Sequence, residues 1–577
     1  MNPTRTRGQT ARRDPSRGGT ARLWMLLGTA LVSGCTVMAT HSPETAPVAP
    51  AERSLVSPAP ASFRPAPAPA MTRDAPSSPL ENAGAPFSRP DATTLFSVAF
   101  DAIAQRYLEP VNLESLAVAG LKGLRTLDDH LSIRRTGAVL EVGRRDTVLG
   151  VFRLPAAQDT ASWGRLVASA LGLLHDASPP LRDLDGETLY KAVFDAALAH
   201  LDPFSHYASA EAATLNRGAR NGFGGLGLLY DLTDGQAIVT RVFAETPAAE
   251  AGLAAGDRIL AIDGQTLRGL SNDTVRDQLR GPSGSLVTLL VASPGVAAPR
   301  AVTLTRTLIV LPTVEWRLEG DSALITVSSF NQRTTTAVAE AISAAQAKSR
   351  GALKGVILDL RGNPGGLLDQ AVALSDLFME RGPIVSTRGR HPDARQFYSA
   401  TPGDLTGGLP LVVLIDGESA SAAEIVAAAL QDSGRAVVVG TTSYGKGTVQ
   451  TVLPLPNGGE ITLTWSRFHS PSGYVLHGLG VMPVACTGGH AAPLTPEAVV
   501  AGVRAHLADT ASLATVWRAT DPRNVTRRAT LRQACPPAPH AGGTLDDGVA
   551  HDLLADPALF DQALRVTPTP QATAGRP

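Results

Sequence analysis

Between Leu311 and Cys486 the chain alternates short apolar runs with helical patterns, and this alternation restricts the fold more than any other feature. "SALITVSSF" (322–330), "GVILDL" (355–360), "LPLVVLID" (409–416) and "RAVVVG" (435–440) read as strands. Between them lie an alanine-rich helical stretch from Thr336 to Lys348, then "LLDQAVALSDLF" (367–378) and "SAAEIVAAALQD" (421–432). An unbroken apolar run such as "GVILDL" fits a strand buried on both faces. Repeated strand–helix units predict an α/β core with parallel strands. In such sheets ligands gather outside the carboxyl ends of the strands. Three loops fall there: "RGNPGG" (361–366), "GESASAAE" (417–424) and "YGKGTVQ" (444–450).

These loops carry few groups with reactive chemistry. Ser421 opens a helix, and with Glu424 it makes the S-x-x-E pattern of a capping box. As a nucleophile it would need a base to take its hydroxyl proton. Histidine is the usual base, but the chain has no G-x-S-x-G elbow. "GNPGG" places Pro364 where a chymotrypsin-like loop would have serine. His469 and His477 are the nearest downstream histidines. Lys446 is the other candidate. A free lysine titrates near 10.4, and desolvation lowers that by favouring the neutral amine. Lys446 is flanked by Gly445 and Gly447, which permit close backbone packing. Gln450, four residues on, would share a face with Lys446 if the strand begins at the lysine, and its amide oxygen would then orient the amine.

A phosphate-binding reading competes for the same lysine. Gly440 to Lys446 is one residue short of the motif G-x-x-x-x-G-K-[ST]. Gly447 stands where a magnesium-ligating hydroxyl belongs. The following "GTVQTVLPLP" reads as a strand, whereas a phosphate loop needs a helix N-terminus.

Upstream, "GFGGLGLLY" (222–230) and "PAAEAGLAAGDRILAIDG" (247–264) resemble a PDZ domain. Gly222, Phe223, Gly224, Gly225, Leu226 and Gly227 would turn successive backbone N–H groups toward a peptide carboxylate. The strand after them would accept the peptide as an added strand, with Asn272 to Arg280 as the helical wall of the groove.

Together, "ESASAAEIVAAALQD", "TTSYGKGTVQ" and "DLRGNPGG" resemble the carboxy-terminal processing (tail-specific) protease family of Ser-Lys peptidases. "SPSGYVLHGLGVMP", "YLEPV" and "LDPFSHY" resemble further family segments, and residues 128–185 look like an insertion. The resemblance implies an α/β multidomain protein with a helical N-terminal region, an inserted PDZ domain and a crotonase-like ββα core. It implies a catalytic set of Ser421, Lys446 and Gln450. The candidate oxyanion donors are the backbone N–H groups of Ala422, Gly366 and, as neighbour, Gly365. No cofactor and no metal is expected. The reading from another class is a non-catalytic PDZ adaptor or scaffold lipoprotein. Glu418, Ala423 and Asp416 depart from the usual family residues, but none removes a reacting group.

The chain's start points to export. Six arginines precede "LWMLLGTALV" (23–32), and "VSGC" ends at Cys35. Ten apolar residues span about 15 Å as helix, half a bilayer core, which fits a signal h-region. Cys35 resembles a lipoprotein acceptor. With it lipidated, Cys486 and Cys535 remain to pair in an oxidising compartment.

The expected organisation is a lipoprotein-type signal peptide (1–35), a Pro/Ala-rich disordered linker (36–92), a helical N-terminal domain (93–215), a PDZ domain (216–310), a protease core (311–486) and an extension of unread role (487–577). Balanced charge, 51 basic against 52 acidic side chains, supplies no field to steer nucleic acid. The expected partners are protein C-termini, a membrane through Cys35, and an activating adaptor protein or an oligomer.

Overall fold

The computed structural model describes residues 85–489, 494–540 and 544–567. The signal segment, Cys35 and the linker up to residue 84 lie outside the described residues. Among the described residues no helix is long and apolar enough to cross a membrane.

The α/β core is built on one six-stranded sheet. Its order is Val314–Glu319, Ser322–Val327, Gly355–Asp359, Leu411–Ile415, Val437–Gly440 and Ala485–Cys486. Only the first pairing is antiparallel. The four strands expected from their apolar runs are all present and all mutually parallel. Their side chains divide strictly by parity. Val356, Leu358, Val413, Ile415 and Val438 face one core, with helices Thr334–Lys348, Leu368–Asp376 and Ala422–Asp432 over it. Ile357, Val412, Leu414, Val437 and Val439 face a second core.

That second face is covered by the C-terminal extension. Helices Pro496–Ala519, Leu545–Ala555 and Pro557–Leu564 lay Val499, Val503, Val549, Leu553 and Phe560 on the sheet. Burying an aliphatic side chain contributes about 1.5–3 kcal/mol, so this segment is half of the layered core rather than an appendage. Cys486, on the last strand, and Cys535, just after helix Val525–Arg532, form a disulfide. The expected pairing is therefore made.

A second sheet has the order Gln396–Ser399, Pro383–Gly389, Glu460–His469 and Thr448–Pro454, and its last-named strand starts two residues after Lys446. Strand His206–Ala208 pairs onto it at Glu460–Thr462, docking the N-terminal region to the core.

The N-terminal region is not wholly helical as expected. Helices Arg89–Arg106, Leu113–Gly123, Thr160–Ala177 and Gly186–Ala199 are joined by a three-stranded antiparallel meander, Leu131–Thr136, Val139–Arg144 and Thr147–Arg153. This meander forms the front of the insertion. Its alternating pattern is broken by arginines on exposed positions, which hid it among helical neighbours. The first helix also begins earlier than the linker boundary at 92: Ser88 caps it and accepts the Asp91 N–H.

The PDZ-like body has a sheet in the order Arg300–Thr305, Leu286–Ala292, Arg258–Ile262, Gln236–Val242 and Leu228–Thr233. The last strand is an edge, and helix Asn272–Leu279 lies across the groove beside it.

Candidate active site

Ser421 stands at a sharp strand-to-helix turn between Leu411–Ile415 and Ala422–Asp432. Its backbone has φ +56° and ψ −113°, a conformation that ordinary side chains avoid. Such a residue costs about 1–3 kcal/mol unless its surroundings hold it. The hold comes from Glu424, whose Oε2 accepts the Ser421 N–H at 2.9 Å. The serine thus has the strained presentation of a nucleophile elbow without the G-x-S-x-G motif.

Glu424 is fully buried and accepts four hydrogen bonds. Oε1 takes the Ser443 hydroxyl (2.5 Å) and the Gly445 N–H (2.7 Å); Oε2 takes the Ser421 N–H and the Lys446 N–H (2.8 Å). Burial pushes the Glu424 carboxyl up from its ordinary range, while these donors pull the other way. The side chain read from sequence as a helix cap is therefore the joint between the serine turn and the lysine loop.

Lys446 is half-buried. Burial lowers its amine below the ordinary lysine value, and the Glu424 and Asp202 charges oppose that only in part. Among the described residues its ammonium makes no ion pair or hydrogen bond; it lies 5.1 Å from the centre of the Phe204 ring. Nor does the Ser421 hydroxyl donate to it.

Gln450 makes no hydrogen bond to the Lys446 amine among the described residues. The strand starts at Thr448, not at Lys446, and its pairing skips Trp465: Val449 opposes Ser466 and Gln450 opposes Thr464. The Gln450 Nε2 donates to the Thr448 and Thr464 hydroxyls at 3.0 and 3.3 Å. Thr464 in turn donates to Asp202 at 3.1 Å.

The "RGNPGG" loop packs against the serine turn. Ala420 donates its N–H to the Asn363 carbonyl (2.9 Å), and a Cβ at Gly365 would come within 2.9 Å of the Ala420 oxygen and of Ser421 Cβ. The three oxyanion candidates separate here. Gly365 spends its N–H on Asn363 Oδ1 at 2.8 Å. The N–H groups of Gly366 and Ala422 have no partner among the described residues. Gly366 holds φ +147° with Phe330 O only 2.2 Å from where a Cβ would sit, so only glycine fits.

The phosphate reading fails on local structure. Lys446 leads into strand Thr448–Pro454, so no helix N-terminus faces an anion at this loop. As for metals, the one qualifying cluster of acidic and histidine side chains among the described residues is Asp128, Asp129 and His130, in the insertion. The Asp128 carboxylate there is already bonded to Arg144 and Ser178.

In the PDZ-like body only part of the glycine-rich segment meets the groove. Phe223, Gly225, Leu226 and Gly227 line it, with Arg276 and Arg280 from the facing helix. Gly222 and Gly224 do not. Gly222 closes helix Ala210–Asn221 with its N–H on the Gly218 carbonyl, and Gly224 accepts the Gly281 N–H at 3.1 Å. Residues Phe223–Gly225 are paired with Thr307–Ile309. Of these two cations, Arg276 pairs with Asp273 and Asp277, whereas Arg280 stacks on Phe223 at 3.9 Å and makes no salt bridge among the described residues. Burial lowers its pKa, with Arg276 adding to the effect.

Comparison with known proteins agrees with this architecture. Residues 321–484 match the model of peptidase family S41 and residues 238–293 match a PDZ domain. The carboxy-terminal-processing protease of Bartonella bacilliformis is 42% identical over 301 residues, covering 52% of this chain and 69% of its own. That of Synechocystis sp. is 37% identical over 313 residues, covering 53% and 71%. The chain belongs to the carboxy-terminal-processing protease family.

It is a PDZ-bearing serine peptidase of that family. Two further residues of this carboxy-terminal-processing protease stand near the lysine: Asp202, which the reading of its sequence did not single out, and His477, which it named only as a downstream histidine. Asp202 accepts the N–H groups of Phe204 (2.7 Å) and Ser205 (2.9 Å), and so sets the Phe204 ring beside the lysine amine. His477 lies against the same ring at 6.1 Å, with its Nδ1 buried and unpartnered. "LDPFSHY" and "VLHGLG" carried a family likeness, but only folding brings them to Lys446.

Proposed function

We propose that this protease cleaves peptide bonds through a Ser421–Lys446 dyad and an acyl-enzyme. Ser421 Oγ attacks the scissile carbonyl as neutral Lys446 takes its proton; Lys446 then protonates the leaving amine, and water releases the acyl group. The oxyanion is held by the N–H groups of Ala422 and Gly366. Gln450 acts through Thr464 and Asp202, holding the Phe204 platform of the lysine, rather than on the amine itself. The observation that carries this reading is the shared Glu424 acceptor, which fixes the backbone of the strained serine and of the desolvated lysine to one oxygen.

Substrate C-terminal peptides add along the edge strand Leu228–Thr233, with their carboxylate at Gly225–Gly227 and Arg280. The chain is exported and held at a membrane of the bacterial envelope by lipid on Cys35, with residues 36–84 as the spacer. An adaptor protein or self-association is a further partner class. The non-catalytic adaptor reading is disfavoured by the intact dyad.

Purified Ser421→Ala and Lys446→Ala proteins should fold, with thermal midpoints near that of the parent, and should fail to cleave casein. Undiminished hydrolysis by either one discards the dyad. Cys35→Ser should move the protein from the membrane to the soluble fraction; a variant still sedimenting with membranes removes the anchor from the reading.

A further inference from the structure

The C-terminal extension reaches all three loops that carry the reacting groups. Arg361, in the oxyanion loop, has a side chain only 6% exposed, and it donates to Asp546 (3.1 Å) and Asp547 (2.7 Å) as well as to Asp359 of its own strand. Ahead of the serine turn, Gly417 donates its N–H to the Ala538 carbonyl at 2.8 Å. In the lysine loop, Thr441 donates to that same carbonyl at 3.0 Å, and Thr442 donates to the Cys535 carbonyl at 2.6 Å. Arg532 holds the Tyr444 carbonyl, two residues before the lysine, at 3.2 Å. One peptide oxygen, Ala538 O, thus ties the serine loop to the lysine loop.

Asp416 supplies the matching joint. Its Oδ1 accepts the N–H groups of Gly362, Glu418 and Ser419 at 3.0, 3.0 and 2.9 Å, joining the oxyanion and serine loops. Its Oδ2 accepts the His540 N–H at 2.9 Å. A carboxylate can accept on both oxygens, whereas an amide cannot. With Oδ1 committed to three loop N–H groups, an asparagine here would turn its NH2 onto the His540 N–H.

We propose that Cys535–His540, with Asp546 and Asp547, is a brace that positions the oxyanion, nucleophile and base loops, and that Asp416, Arg361 and the Cys486–Cys535 disulfide are its positioning residues. The inference rests on the assignment of Ser421, Lys446 and Gly366 as reacting groups. The brace touches no substrate; it fixes the separation between groups that must meet within ångströms, where a displacement of about 1 Å costs on the order of a hundredfold in rate. The disulfide anchors the brace to the sheet strand that ends at Cys486. A dithiol reductant would unlock it. One thiolate displaces Cys486 or Cys535 sulfur to give a mixed disulfide, the second thiol resolves it, and two electrons and two protons pass to the cysteines.

The test compares the full chain, oxidised, with Asp416→Asn, Asp546→Asn/Asp547→Asn, the rescue pair Asp546→Glu/Asp547→Glu, and Ser421→Ala as reference. Hydrolysis of a short unstructured peptide gives kcat and KM, and thermal unfolding reports stability. The brace predicts that both asparagine variants lose kcat by on the order of ten- to hundredfold with KM held within about twofold. The glutamate pair should recover part of kcat. Dithiothreitol should lower kcat of the parent in the same way and leave Cys486→Ser/Cys535→Ser unaffected. Folded Asp416→Asn with parental kcat, or kcat losses that vanish when all proteins are assayed well below their unfolding temperatures, overturns the brace. If the aspartate variants do not fold, the dithiothreitol arm decides, and unchanged kcat after complete reduction overturns it. Hydrolysis that survives in Ser421→Ala would instead condemn the assignment of the nucleophile.

Discussion

Ser421 and Lys446, twenty-five positions apart, deliver their backbone N–H groups to the same oxygen, Oε2 of Glu424, at 2.9 and 2.8 Å. This shared acceptor is short, buried and charge-assisted, which makes it a stiff link. It also explains how a serine can hold φ +56° at the head of a helix.

Replacing Glu424 by glutamine keeps the shape but leaves one end of the side chain a donor. At least two of the four donors then lose their acceptor inside the core. Each such loss costs about 1–3 kcal/mol, so Glu424→Gln should lower the thermal midpoint measurably. It should also reduce kcat more than it raises KM, because what it loosens is the placement of the serine and lysine. Kinetics on a peptide substrate at several temperatures separates the two effects.

The lysine sets the pH dependence. Burial depresses the Lys446 pKa below its ordinary value, and the base works only when neutral. Activity should therefore rise with pH as the ammonium loses its proton, with a midpoint below about 10.4, the value of a free lysine. Opening the niche with Phe204→Ala should rehydrate the ammonium and move that midpoint upward. A pH profile of kcat/KM for the two proteins reads the shift; identical midpoints would remove Phe204 from this role.

Gly366 tests the oxyanion assignment without touching the dyad. A methyl group there would meet the Phe330 carbonyl at 2.2 Å, so the loop must move and carry the N–H away. Losing one oxyanion donor costs about a hundred- to thousandfold in rate. Gly366→Ala should fall in that range while an active-site-directed fluorophosphonate still labels Ser421 at a reduced rate.

Arg280 is the groove cation without a salt bridge among the described residues. Arg280→Ala should weaken binding of a peptide with a free C-terminus and leave the weaker binding of the same peptide amidated nearly unchanged. A hydrogen bond to a charged group contributes about 1.5–3 kcal/mol, equivalent to roughly ten- to hundredfold in affinity. Fluorescence polarisation with the two peptides measures the difference.

Sequence alone settled what depends on neighbours along the chain. Apolar runs gave the four parallel strands, and strand–loop–helix punctuation put Ser421, Lys446 and "RGNPGG" at the strand ends. The peptide groove was legible through a resemblance to PDZ domains, carried mostly by "PAAEAGLAAGDRILAIDG" (247–264) beside the glycine cluster. Cysteine parity pointed to the Cys486–Cys535 pair, because three cysteines leave a single pairing if Cys35 takes a lipid, as expected from the residues before it. Apart from that resemblance, these are properties of composition, period and spacing.

Tertiary structure decided everything that depends on which distant groups share a partner. A skipped residue at Trp465 set Gln450 opposite Thr464; a pairing with Thr307–Ile309 took Phe223–Gly225 into a ladder; Asn363 consumed the Gly365 N–H and left that of Gly366 without a partner among the described residues. The extension was unreadable because its apolar residues show only that some surface is buried. The surface in question is the second face of the central sheet, which exists only after the parallel strands assemble. Hydrogen-bond ownership and sheet faces are decided by packing in three dimensions, and no periodicity along the chain encodes them.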